Sequence, residues 1–135
     1  MKFEFWNEVD DNFLLNQTFS DYIKIEHINL FNIDVLRDGP TVRLHFDLVD
    51  SLPDRPLPHW GEPNIDYNRC RMGADCFGVR KFSMQGISTH MRMMLAISKN
   101  DKVYDLSLSS RDVNIEIQCS NLTLISPSVY MDGDL

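Results

Sequence analysis

The side chains best suited to chemistry in this chain are four histidines and three cysteines. A metal site needs several such groups at a characteristic spacing. No histidine has a second histidine, a cysteine or a carboxylate at the spacing of a zinc finger or an HExxH motif, and no CxxC pair occurs. The sequence therefore predicts no metal site, and we expect His45 to be a solvated residue. The seven residues are His27, His45, His59, His90, Cys70, Cys76 and Cys119.

Nucleophilic catalysis finds equally little support in the sequence. The segment Gly86-Ile87-Ser88-Thr89 differs from the GxSxG elbow, and the chain lacks the α/β frame that such an elbow requires. Cys70 stands between Arg69 and Arg71, and cationic neighbours lower the pKa of a thiol when they point at it. In a strand, however, adjacent side chains point to opposite faces. We therefore expect Cys70 to be a structural thiol.

The cysteine count also bears on the cellular compartment. A secreted disulfide framework normally has an even number of cysteines, whereas this chain has three. Free thiols packed as small apolar groups suit a reducing cytoplasm. The first eight residues contain no apolar stretch typical of a signal peptide, and nowhere do 18 apolar residues follow one another. The sequence thus predicts a cytoplasmic protein that does not span a membrane.

Carboxylates are numerous, but their spacing indicates no acid–base pair. Asp10-Asp11 and the two residues Asp47 and Asp50 are interpreted as solvated charges. No glycine-rich loop able to hold a phosphate occurs. We therefore predict no cofactor and no catalytic site, and a small hydrolase is the weakest of the functional hypotheses.

The net charge of −7 is concentrated in the first half of the chain. Residues 1–66 carry thirteen acidic and five basic side chains, a net charge of −8, whereas residues 67–135 carry a net charge of +1. Such a field repels nucleic acid and anionic membranes and attracts basic partners. The same charge also favours solubility, so it does not by itself establish a partner.

A proline-rich loop over residues 51–64 holds one of the two tryptophans. Its four prolines exclude a central strand, and Trp60 lies within Pro58-His59-Trp60-Gly61. Trp60 either plugs one end of the fold or is an exposed anchor for a partner, since tryptophan is favoured at binding hot spots. In the second case, nearby carboxylates set the charge of the interface. The candidate partner-binding residues are Asp47, Asp50, Asp54, Trp60, Glu62 and Asp66.

One short helix is expected before the strands begin. It covers residues 8–15, with Asn7 as its cap. Val9 and Phe13 share a face at helical spacing. Leu14 extends the same face.

Alternating apolar residues then predict strands. Residues 22–33 form a first strand whose alternation slips once between Ile25 and Ile28, as in a β-bulge. Residues 41–50 alternate most clearly, with one face buried and the other wet. Strands over residues 67–72 and 77–84 are separated by Gly73-Ala74-Asp75.

About eight short strands are predicted in total, with turns between them. This arrangement is typical of an antiparallel β-sandwich or a partly closed barrel with a short N-terminal helix. The length suits a single mainly-β domain over residues 1–135, of which the last five residues are expected to fray.

The order of these features resembles a known family. After the helix and the first strand come Leu36-Arg37-Asp38-Gly39-Pro40-Thr41-Val42-Arg43-Leu44 and Phe46-Asp47-Leu48. The loop ending in Pro58-His59-Trp60 follows, and the last strand ends in Ser128-Val129-Tyr130. In this order the chain resembles immunity protein family fifty of bacterial polymorphic toxin systems, over most of its length.

The resemblance implies a mainly β, cytoplasmic bacterial protein that binds a cognate toxin and blocks it without catalysis. The residues themselves agree on the acidic half, which suits a basic partner. A hypothesis from a different class stays open. In it, the protein is a β-sandwich module that binds a small ligand such as a sugar, with Trp60 as the stacking platform.

Overall fold

Eight antiparallel strands form one sheet in the computed structural model, which describes residues 1–133. The strands are β1 (His27–Leu36), β2 (Thr41–Leu48), β3 (Arg69–Phe77), β4 (Lys81–Gln85), β5 (Arg92–Asn100), β6 (Val103–Ser109), β7 (Asn114–Cys119) and β8 (Asn121–Tyr130). Their order across the sheet is β4-β7-β6-β5-β1-β2-β3-β8, and the sheet is not closed. The predicted mainly β fold is confirmed.

The sheet folds back on itself where β1 meets β5. β5 pairs with only the first three residues of β1, whereas β2 pairs along nearly the whole of it. Across the interior, β3 contacts β7 and β6 contacts β8. The two halves thereby enclose one hydrophobic core, in which Trp6 stacks on Phe46 at 5.2 Å between ring centroids.

The N-terminal segment forms two helices, α1 (Trp6–Val9) and α2 (Phe13–Thr18), instead of the single helix predicted. The helices are interrupted because Asp10 and Asn12 bond to the edge of β8. The Asp10 carboxylate accepts a hydrogen bond from the Leu124 N–H at 2.9 Å, and the Asn12 amide donates to the Leu124 carbonyl at 3.3 Å. These side chains cover an edge that would otherwise be open to another strand.

The helix cap and the face shared by Val9 and Phe13 also differ from prediction. Asn12 caps α2 by accepting a hydrogen bond from the Leu15 N–H at 2.9 Å, whereas the Asn7 side chain bonds a backbone N–H just before β1. Val9 and Phe13, predicted to share a face, are separated, because Val9 is buried and Phe13 is 77% exposed, and on α2 it is Leu15 that is buried. The prediction from helical spacing is wrong because α1 ends at Val9 and α2 begins at Phe13, so the two residues do not belong to one continuous helix.

A β-bulge does occur in β1, but not at the predicted position. β1 begins at His27, and its register against β2 shifts between Leu30 and Asn32, leaving Phe31 as the extra residue. The earlier apolar residues Ile23 and Ile25 precede the strand, so their phase does not belong to it. A bulge breaks the alternation locally, which is why a slip in the pattern locates it only roughly.

β3 runs without interruption through residues 73–75, where a break between strands was predicted. Gly73 lies in the middle of β3, and a Cβ atom there would stand 2.5 Å from the Leu44 carbonyl oxygen. A glycine in a strand often marks such a close approach of two backbones. The glycine therefore serves strand pairing and does not form a turn.

The C-terminal end is bonded as far as Asp132. Its N–H donates to the Asn68 side chain at 2.8 Å, and the Asn68 amide donates back to its carbonyl at 3.0 Å. The predicted fraying also concerns residues 134 and 135, which lie outside the described residues. Within residues 1–133, no helix has the length and apolar character needed to cross a membrane.

Candidate partner-binding site

Five of the six candidate residues lie in the loop between β2 and β3, and Asp47 lies on β2 itself. Asp50, Asp54, Glu62 and Asp66 are exposed, and Trp60 is half-buried. Asp47 is buried, at 8% exposure. The structure therefore separates the set into an exposed loop group and one covered carboxylate.

The loop is held by hydrogen bonds to the C-terminal end of α2, to the residues that follow it, and within the loop itself. The Asp54 carboxylate accepts from both the N–H and the hydroxyl of Ser20, and the Arg55 N–H donates to the Thr18 carbonyl at 3.0 Å. The fully buried Tyr67 hydroxyl donates to the Pro53 carbonyl at 2.6 Å. The bonds from Ser20 lower the pKa of Asp54, so this carboxylate serves to anchor the loop as well as to carry charge.

Trp60 ends a 3-10 turn over Pro58–Trp60, and its ring meets His59 edge-on. Gly61 follows with φ of +86°, a conformation that favours glycine. The Asp66 carboxylate accepts from the Glu62 N–H at 2.8 Å and closes the next turn. Trp60 thus sits on a fixed turn and is neither a fully buried plug nor a fully exposed anchor.

A polar cleft of about 500 Å³ opens beside this loop. Its polar lining comes from Asn29, Asp50, Ser51, Asn64, Asn68 and Arg69. Asp50 and Asn64 have φ of +60° and +67°, so two lining residues adopt the left-handed region that Asn and Asp tolerate best after glycine. Trp60 is not among the residues that line this cleft.

Asp47 belongs to a cluster on the outer face of β2, the face predicted to be wet. Arg71 donates two hydrogen bonds to the Asp47 carboxylate, Nε to Oδ1 at 2.8 Å and Nη2 to Oδ2 at 3.3 Å. The Tyr130 hydroxyl also donates to Asp47 and accepts from Arg71. The Arg71 guanidinium lies 3.7 Å from the centre of the Phe31 ring and 4.6 Å from that of Tyr130. We call these four residues the Asp47 cluster.

The packing of the Asp47 cluster buries the Tyr130 hydroxyl and part of His45. Burial, followed by the hydrogen bond to Asp47, raises the pKa of Tyr130 to about 12. His45, expected to be solvated, is half-buried next to Phe31, with 5.7 Å between ring centroids. Its Nδ1 atom is buried without a hydrogen-bond partner among the described residues. The outer face of β2 is therefore wet only in part, because Thr41 and Asp47 are buried whereas Arg43 and His45 are half-buried.

The three thiols are buried and free, as the sequence predicted. Burial raises the pKa of Cys70 to about 12, so this thiol is not activated by its arginine neighbours. Cys76 and Cys119 interact across the interior, which raises the pKa of Cys76 and lowers that of Cys119. Over residues 1–133, no three His, Cys, Asp or Glu side chains gather in a metal-binding arrangement.

Sequence reasoning missed several exposed aromatic side chains, among them Phe13 on α2 and Phe31 on β1. Phe31 is the bulged residue, so it falls outside the alternation that marks the rest of the strand. A phase slip followed by an aromatic residue is the signal that could have found it. Phe13 offers no comparable signal, because the break in the helix depends on distant bonds to β8.

These features define a mainly β protein whose distinctive surface groups are carboxylates and aromatic side chains of the kind that contact other proteins. A family model described as immunity protein 50 matches residues 12–130. The chain therefore belongs to the immunity protein 50 family, and the resemblance seen in the sequence is confirmed. Membership supports a toxin-neutralising role in general. Searches of curated proteins and of solved structures return no significant match.

Proposed function

We propose that this protein is a cytoplasmic, bacterial, stoichiometric inhibitor that binds a cognate toxin domain and blocks it without catalysing a reaction. The partner is a basic domain, and the loop between β2 and β3 forms the contact surface. The protein acts as one domain, and binding needs no cofactor. The family match is the observation that carries this proposal.

Charge supports a basic partner. Of the three ion pairs within residues 1–133, only one uses a carboxylate from the first half of the chain, that of Asp47 with Arg71. The surplus negative charge of residues 1–66 is therefore largely not neutralised inside the protein. A toxin that attacks nucleic acid needs lysine and arginine to bind phosphate, and an acidic surface complements such a site.

The fixed geometry of the loop supports its role as the contact surface. The Ser20, Thr18 and Tyr67 bonds hold the loop in place before any partner arrives. A preordered surface loses less conformational entropy on binding than a flexible one. Binding through Trp60 and the carboxylates of the loop would therefore carry only a small ordering cost.

The direct test uses the toxin domain encoded by the neighbouring gene as the probe. We expect a 1:1 complex in size-exclusion chromatography with light scattering, and loss of toxin activity in proportion to the inhibitor added. Absence of a complex would sink the proposal. Continued toxin activity within a stable complex would refute inhibition by direct binding.

Variants then locate the surface. Asp54 is unsuitable for charge reversal because it also anchors the loop, so Asp50→Asn and Glu62→Lys are preferred. The asparagine keeps the left-handed backbone at position 50 accessible. We expect both variants to slow association and Glu62→Lys to reduce its dependence on salt, because rim charges act mainly on the association rate. Glu116→Lys, exposed on β7 in the other half of the sheet, is the matched control.

Trp60→Ala tests the anchor. We expect faster dissociation and a loss on the order of 2 kcal/mol in binding free energy if Trp60 is a hot spot. Its melting temperature must be measured as well, because Trp60 is half-buried. If the folded variants all bind like the parent, the surface lies elsewhere.

The alternative is a module for a small polar ligand, and the cleft is the observation that favours it. Side-chain amides of Asn29, Asn64 and Asn68 line it. Saturable binding of a sugar in calorimetry, without any toxin complex, would favour this alternative. An Asn64→Ala variant that loses sugar binding would then place the ligand in the cleft.

A further inference from the structure

One stretch of β1 is an open strand edge. After the three residues that pair with β5, the Leu30 N–H still donates to the Met91 carbonyl at 2.9 Å. From residue 32 to residue 36, β1 pairs with β2 on one side, and in the described part of the chain no strand pairs with the other side. We call residues 32–36 the β1 edge.

The two outermost strands are each protected in part, which sets the β1 edge apart. Asp10 and Asn12 bond to β8, as described above. β4 has only five residues and begins with Lys81, next to Arg80. Short length and basic charge are common ways to protect an edge from other strands. By contrast, the β1 edge exposes Val35 and Leu36, at 58% and 47%.

An apolar groove runs beside the β1 edge. It has a volume of about 300 Å³, and Phe31, Ile33, Met84, Ile87 and Met91 line it. Ile87 is 82% exposed. An exposed apolar strip next to free backbone groups is the arrangement by which proteins bind an extended peptide as an added strand.

Charge on the outer face of the β1 edge indicates which partner it accepts. Asp34 lies opposite Arg43 on β2, and Arg43 is already bonded to Asp75 through Nε–Oδ1 at 2.6 Å. One guanidinium therefore faces two carboxylates. A strand added beside Asp34 would place its own side chain next to this carboxylate, and a lysine or arginine there completes a row of alternating charges.

The same residue opposes pairing with a second copy of this chain. If residues 32–36 paired fully with themselves in antiparallel fashion, Asp34 would stand directly opposite Asp34. Like charges directly opposite each other destabilise a strand pair. The β1 edge therefore favours a basic partner over self-association.

We propose that the β1 edge binds an extended segment of the cognate toxin as an added strand, with a basic side chain opposite Asp34 and apolar side chains over Ile33 and Val35. Ile33 and Val35 share the inner face of β1, since they pair with Leu44 and Val42. The inference rests on the proposed function, because the toxin is its partner. Strand addition at the β1 edge would supply a backbone contact besides the side-chain contacts proposed for the loop between β2 and β3.

Hydrogen–deuterium exchange of the protein with and without the neighbouring gene's toxin domain tests the backbone contact. We expect the outward-facing amides of residues 32–36 to exchange at least about tenfold more slowly in the complex, because strand addition gives them hydrogen-bond partners. Unchanged exchange at these amides in a stable 1:1 complex would overturn the strand proposal while leaving the proposed function intact. No complex at all would overturn both.

Variants test the side-chain part. Asp34→Lys should weaken toxin binding at least tenfold, whereas Asp38→Lys, the same charge change in the adjacent turn, should have a much smaller effect. Val35→Lys, which leaves Asp34 beside Arg43, should also weaken binding, and melting temperatures show that each variant is folded. Equal binding by Asp34→Lys and Asp38→Lys would contradict the proposal. A dimer of the protein alone that protects residues 32–36 would identify a second copy as the occupant and overturn it too.

Discussion

Replacing Asp47 by alanine is expected to destabilise the protein more than the position of Asp47 on a predicted wet face would suggest. Asp47 accepts two hydrogen bonds from Arg71 and one from Tyr130. Without the carboxylate, Arg71 remains between the Phe31 and Tyr130 rings with no counter-charge.

The expected magnitude follows from the burial of both partners. Breaking a buried ion pair on one side costs about 3–5 kcal/mol, whereas an exposed pair contributes about 0–1 kcal/mol. The Asp47 side chain is 11% exposed, but that of Arg71 is 35% exposed and can recover part of its hydration. We therefore expect a loss of about 2 kcal/mol in the free energy of unfolding, between these limits. For a chain of this size, such a loss corresponds to a melting point lower by about 6–10 °C.

Urea titration followed by tryptophan fluorescence or circular dichroism measures this loss. Asp75→Ala is the matched control, because Asp75 has nearly the same exposure and also accepts two hydrogen bonds from one arginine. It lacks the two rings and the hydrogen bond from a tyrosine hydroxyl, so we expect its loss to be smaller by about 1 kcal/mol, the contribution of one such bond. Equal losses in the two variants would refute the argument that the Asp47 cluster acts as a buried unit.

Two further predictions concern alkaline stability and strand packing. The pKa values of Cys70 and Tyr130 rise in the fold from 9.0 and 10.0 to about 12, so the neutral forms stabilise the folded state fully below pH 9 and lose this effect as the pH rises towards 12. The free energy of unfolding, measured against pH, should fall from pH 9 upwards, and it should fall less steeply in Cys70→Ala. A free energy of unfolding that rises above pH 9 would contradict this prediction. Gly73→Ala should lower the free energy of unfolding by roughly 2–3 kcal/mol, because its Cβ atom would meet the Leu44 carbonyl of β2. Gly133→Ala, which has open space around it, is the control and should leave the free energy of unfolding unchanged. Equal melting points for the two variants would contradict this prediction.

The strands with clear alternation were predictable from the sequence. β2 appears within the predicted range, and its Val42, Leu44, Phe46 and Leu48 face the core as expected. This works because burial on one face imposes a period of two on the residues of a strand.

The elements that were predicted wrongly depend on contacts between residues that are distant in the sequence. The helix breaks because Asp10 bonds to Leu124, more than a hundred residues away. Gly73 indicates a turn when it is read locally, but in the fold it permits the close approach of β2. Neither contact leaves a mark in the sequence nearby, so local propensity gave the wrong prediction in both places.

The candidate site was predicted only as a region. Residues Asp50 to Asp66 do lie together in one loop, because the prolines and the turns keep the chain on the surface. Asp47 was grouped with them on the strength of its charge and its position in the chain. Its burial depends on Arg71 and Tyr130, which only the pairing of β2, β3 and β8 brings to it.

The two proposed contacts constrain how a toxin domain would lie on this protein. The loop follows the Leu48 end of β2, whereas the β1 edge lies beside the Thr41 end. Eight residues of strand separate these ends by about 25 Å. A standard interface buries about 800 Å² on each partner, a patch of comparable width, so one domain can span both contacts. One path between the two contacts runs along the outer face of β2, over the Asp47 cluster with its Phe31 ring. The cluster would then become the centre of the interface, where rigid arginine and tyrosine side chains contribute most to affinity.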